Sequence, residues 1–172
     1  ILVLTAVLAS NGPPATFAGD SPAAPPIVQG ARPWKGDLDG MRERRAIRAL
    51  VTYSKTFYFL DGPRQRGISY EQLKQFETFV NRQFNTGTLK INVIIIPVAR
   101  DELLPALVEG RGDIAVANLT ITPQRRRQVD FSAPFITDVK ELVVSGPRVT
   151  PLTRLEDFAG LTIEVRPSSS YY

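Results

Sequence analysis

Between residues 47 and 117, short apolar runs alternate with stretches whose apolar residues recur at helical spacing. That alternation restricts the chain to few architectures. Residues 47–51 read as a strand, and Ser69 with Gln72 forms a capping-box pattern. It opens a helix whose apolar stripe is Leu73, Phe76, Val80 and Phe84, with Gly87 as its stop signal. Residues 91–96 are nearly all apolar, as expected of a strand buried on both faces. A second helix starts near 101, turning Leu103, Leu104, Leu107 and Val108 inward. Pro105 is tolerable there only near the first turn, and Gly110 falls past the end. Residues 114–117 make a third strand, and 142–144 lie in a fourth. The pattern predicts an α/β domain with a largely parallel sheet. Ligands of such sheets sit beyond the carboxyl ends of the strands, which directs attention to the loops at 52–59 and 118–122.

The residue inventory narrows the chemistry. With no cysteine and no histidine in 172 residues, disulfides, thiolate or imidazole metal sites and Ser-His or Cys-His catalysis are excluded. No cofactor is implied. The net charge of +4 comes from 21 basic residues mixed with 17 acidic ones, a solvated surface rather than a nucleic-acid footprint.

Toward the start, the apolar run 1–9 suits the core of a secretory signal, with small residues at 16–18 before Gly19 as a cleavage point. The expected organisation is a partial signal peptide over 1–18 and a linker with lead-in over 19–45. The linker is rich in Pro, Ala and Gly, and a short helix is expected within 34–45.

Residues 110–135 carry the clearest functional pattern. Gly110 and Gly112 bracket a turn, the strand at 114–117 follows, and Thr122 with Pro123 reads as an N-cap and first helical residue. Arg125 then falls in the first helical turn, where a cation opposes the helix dipole. A guanidinium so placed can hold a carboxylate through two parallel hydrogen bonds.

The same stretch resembles family 3 of the extracytoplasmic solute-binding proteins, amino-acid receptors with the type II periplasmic binding fold. The resemblance rests on Gly110 and Asp113, then Thr120, Thr122 and Arg125, then Asp130, Phe131, Ser132, Pro134 and Phe135. It implies two lobes, with lobe 1 over 46–146 and the start of a truncated lobe 2 over 147–172. Asp157, Phe158 and Gly160 match the pattern that enters the second lobe. Arg125 would bind the ligand carboxylate, with Thr120 as a hydroxyl donor and Asn118 as a backbone contact. Tyr53, Phe57 and Tyr58 correspond to the pocket wall. Ser169 and Ser170 form an anion-binding loop, and Arg166 is a candidate second cation. Ser170 stands where the family usually has glycine.

A narrower likeness joins residues 36–41, 52–59, 96–104, 117–123 and 166–172, which resemble the N-terminal domain of membrane-bound lytic transglycosylase F-like proteins. It implies a periplasmic, outer-membrane-associated module that senses an amino acid or a peptidoglycan-derived peptide. The covalently linked partner would be a transglycosylase domain, and membrane association would come only through the parent protein or a partner. One alternative is an amino-acid receptor serving an ABC permease. Another, of a different class, is a segment catalytic in its own right, for which carboxylates and lysines would be the only acid–base groups.

Overall fold

The computed structural model describes residues 32–138, 152–165, 169 and 170. By contact the chain divides into two compact units, one comprising 22–119 and 123–130, the other 1–21, 120–122 and 131–172.

The first unit is an α/β sandwich. After a short helix α1 (Leu38–Glu43), strand β1 (Ala46–Thr52) runs through its centre. Hairpin strands β2 (Phe59–Asp61) and β3 (Arg64–Arg66) lead to the long helix α2 (Ile68–Gln83). Strand β4 (Asn92–Val98), helix α3 (Leu103–Val108), strand β5 (Ile114–Val116) and a single turn α4 (Pro123–Arg126) follow. The main sheet has the order β4-β1-β5 and is parallel throughout, with Ala46 opposite Asn92 and Ala49 opposite Ile114.

Both faces of this sheet are covered, which is what parallel strands require. Ala49 and Val51 pack with Leu73 of α2 on one face, while Leu50 packs with Leu103 and Ala106 of α3 on the other. Central β1 is therefore buried from Ile47 to Thr52. β4 departs from the expectation of burial on both faces. It pairs with β1 alone among the described strands, its outer residues alternate in exposure, and Ile94 is 48% exposed. Pro97 suits such an edge, because it has no N–H to offer a further strand.

Helix α2 begins without the expected capping box. Its N-cap is Gly67, and Ser69 lies inside the helix with its hydroxyl donating to the Val116 carbonyl at 3.4 Å. The orphan N–H groups of the first turn are met by the preceding loop instead: Ile68 donates to the Thr56 carbonyl at 3.1 Å and Ser69 to that of Phe57 at 2.9 Å. Gly67 allows this. Its φ is +120°, and a Cβ there would lie 2.3 Å from the Phe57 oxygen. The helix ends at Gln83, with Asn85 at φ +46°, before Gly87 is reached. Asn85 supplies the left-handed turn expected of glycine. In α3, Leu103 and Ala106 face the core, whereas Val108, expected inward, is 44% exposed.

In the second unit, residues 155–158 form one 3₁₀ turn. Asp157 closes it by accepting from the backbone N–H groups of Thr153 at 2.8 Å and Arg154 at 2.9 Å, which hold its carboxyl below the ordinary aspartate value. Gly160 follows at φ +76°. Beyond it, Ile163 forms an isolated bridge. The strand expected at 142–144 lies outside the described residues.

Candidate ligand-binding site

The carboxyl ends of β4, β1 and β5 deliver three segments to one edge of the sheet, because parallel strands point the same way. From β1 comes the aromatic loop 53–58. Ser54 and Tyr58 exchange backbone hydrogen bonds of 2.8 and 3.1 Å, and the Phe57 N–H donates to Ser54 Oγ at 3.0 Å. With its carbonyls also held by α2, this loop is fixed at both ends.

The three aromatics of that loop differ in their surroundings. Tyr58 is 6% exposed and belongs to the core with Val51 and Leu73. Its hydroxyl donates to Gln65 Oε1 of β3 at 3.0 Å, tying loop to hairpin. Burial, with Tyr53 and Tyr70 nearby, pushes its phenol above the ordinary tyrosine value. Of the three residues expected in the pocket wall, Tyr58 is thus the one packed into the core. Tyr53 and Phe57 are half-buried, and the Tyr53 ring meets Tyr58 edge-on at 6.4 Å.

From β5 comes Asn118, whose carbonyl accepts from the Arg100 guanidinium at 2.9 Å. Arg100 itself follows β4. Sequence reasoning passes over it, although its place immediately beyond the 91–96 strand is the signal that marks the other two loops. At the end of β1, Thr52 is 7% exposed and its hydroxyl has no hydrogen-bond partner among the described residues.

Arg125 lies half-buried in α4, while Arg126 and Arg127 are exposed. The amide N–H groups of Gln128 and Val129 both donate to its carbonyl, at 2.9 and 3.0 Å. With four residues, α4 is too short for a helix dipole to matter, so the expected opposition between Arg125 and the dipole has no weight here. Thr120, Ser169 and Ser170 belong to the other unit, the two serines half-buried and Thr120 exposed. Arg166 lies outside the described residues.

At the opposite, amino end of the sheet, Asp113 joins Arg48 and Arg44. Its carboxylate is 1% exposed and sits 2.7 Å from Arg48 Nη2, while Arg44 stacks on Trp34 at 3.9 Å. Burial alone would raise this carboxyl; the side-chain and backbone bonds from Arg48, with that from Arg44, outweigh it and hold the group below the ordinary aspartate value. This cluster is structural. A shallow depression of about 360 Å³ on the solvent face of α2, lined by Glu71, Lys74, Thr78, Phe79 and Arg82, is likewise remote from the strand ends. Among the described residues no group of His, Cys, Asp and Glu could hold a metal ion, and no helix is long and apolar enough to cross a membrane.

Residues 59–152 match the family described as bacterial extracellular solute-binding proteins, family 3. That is more than half of the 172 residues. The chain belongs to this family. Its α/β fold is the type II periplasmic binding fold, and the solute-binding stretch contains Asn118, Thr120 and Arg125. The membrane-bound lytic murein transglycosylase F of Ectopseudomonas mendocina (strain ymp) is 29% identical over 143 residues, 83% of this chain and 28% of that protein. The transglycosylase F of Maricaulis maris (strain MCS10) is 39% identical over 70 residues, 41% of this chain and 15% of its own. This chain thus spans only 28% and 15% of the lengths of these two relatives. Among solved structures, an ancestral amino acid-binding protein, a precursor of cyclohexadienyl dehydratase, superposes with a TM-score of 0.48. It is 29% identical, over 57% of this chain and 40% of that one.

Proposed function

We propose that this solute-binding domain recognises a small carboxylate ligand, an amino acid or a peptidoglycan-derived peptide, and serves as the N-terminal sensing module of a periplasmic murein lytic transglycosylase. The family match over 59–152 carries this reading, because it spans the arginine and the loop that a carboxylate would need. The transglycosylase F of Ectopseudomonas mendocina, similar over 83% of this chain but 28% of its own length, supports the place of the domain within a larger protein. Residues 46–146 are proposed as lobe 1 and 147–172 as the entry to lobe 2.

Arg125 is the proposed carboxylate contact. Tyr53 and Phe57 are the proposed wall, since both remain partly accessible on a loop fixed by Ser54, Tyr58 and α2. The backbone of Asn118 keeps a share in recognition through Arg100, which its carbonyl holds in place. The roles of Thr120, Ser169, Ser170 and Arg166 rest on the sequence resemblance. Binding without chemistry is the task assigned here. Calorimetric titration of the full-length protein with single amino acids and short peptides tests it, and a flat titration with every one of them would sink it.

A further inference from the structure

Taking that reading as its base, we infer that Arg100 is a second ligand-recognising cation, which selects ligands carrying an additional carboxylate. β1 lies between β4 and β5, so the strands that bear Arg100 and Asn118 stand two spacings apart, about 10 Å. The 2.9 Å bond from Arg100 to the Asn118 carbonyl therefore carries the guanidinium across the carboxyl end of β1. That is the edge where ligands of open parallel sheets sit.

Two further observations agree. The strand end that Arg100 crosses is that of Thr52, whose buried hydroxyl has no partner among the described residues. An unpaired buried hydroxyl is costly, so this strand end holds hydrogen-bonding capacity that the described residues do not use. The second concerns charge: in chain order Arg100 follows β4 and Arg125, the proposed carboxylate contact, follows β5, a neighbouring strand of the same sheet. A single carboxylate occupies one planar fork; a ligand with a second acidic group can engage both. The nearby Glu102 lies within 4.0 Å of Arg111, its own cationic neighbour. The ligand class that fits is a dicarboxylic amino acid or a peptide ending in one.

The test is calorimetry on the full-length protein with glutamate and glutamine, each free and as the carboxyl-terminal residue of an alanyl dipeptide. The wild type should prefer the glutamate member of at least one pair by about ten- to a hundredfold, the worth of one charge-assisted hydrogen bond. Arg100→Gln should remove that preference while leaving the glutamine member within about threefold, and Arg100→Lys should retain most of it. Because each ratio is measured on one protein sample, partial loss of folded material does not move it. A staple that merely joins two loops would lower both members equally, and that result overturns the inference. So does an unaltered preference in Arg100→Gln, or no binding by any of the four probes. Arg125→Ala run in parallel separates the two readings: binding that needs Arg125 but ignores Arg100 leaves the solute-binding function standing and removes the second cation.

Discussion

Asp113 accepts the backbone N–H of Arg48 at 2.6 Å and its Nη2 at 2.7 Å, in a site where the carboxylate is 1% and the arginine 8% exposed. Without it, the central strand would bury an uncompensated cation among apolar neighbours. Arg48 also donates to the carbonyls of Arg32 and Trp34 at 3.3 and 3.2 Å, so one ion pair holds β1, the start of β5 and the lead-in segment together.

Removing one partner of a buried pair leaves the other charged and poorly solvated. Asp113→Asn should therefore cost about 3 kcal/mol of stability, read as a lower urea midpoint. The pH dependence follows from the direction of the shift. The folded carboxyl sits below the ordinary value of 3.8, so its stabilisation is complete above that value and is lost as pH falls through the lower folded one. The gap between wild type and Asp113→Asn should close below pH 3.8. A gap that widened in acid would contradict the assignment.

Gly67→Ala should destabilise by about 2 kcal/mol, since it places a Cβ against the Phe57 carbonyl in a left-handed backbone region. It should also loosen the aromatic loop, seen as faster amide exchange at Ile68 and Ser69. Unchanged exchange at those two amides would show that the loop does not cap α2.

Tyr58→Phe deletes the bond to Gln65 without opening a cavity. The expected cost is about 1 kcal/mol in thermal unfolding, with ligand affinity unchanged. A large loss of affinity with no loss of stability would return Tyr58 to the pocket wall.

Much of the fold was legible because β1, β5 and the stripe of α2 announce themselves through local periodicity. What escaped depends on partners distant in sequence. The 91–96 run is as apolar as a central strand, yet its place at the edge among the described strands is fixed by where β5 pairs, not by its own residues. Ser69 looks like a cap because Gln72 follows three residues later, but the carbonyls of Thr56 and Phe57 take that role from outside the helix. Strands β2 and β3 have three residues each, too few for a periodic signal, although Asp61-Gly62 is a turn signal with Gly62 at φ +58°. At the candidate site, Arg125 and Tyr53 could be singled out from spacing and resemblance. Burial of Tyr58 and the bond from Arg100 to Asn118 are tertiary facts that no short window contains.

The proposed function depends above all on Arg125 gripping a ligand carboxylate. The most direct measurement compares wild-type, Arg125→Ala and Arg126→Ala full-length proteins by calorimetry with glutamate, glutamine and their alanyl dipeptides. Arg125→Ala should lose about 2–5 kcal/mol of binding energy, the cost of stripping one side of a desolvated charge pair, while the exposed Arg126→Ala should bind as the wild type does. Undiminished carboxylate binding by Arg125→Ala would contradict that role.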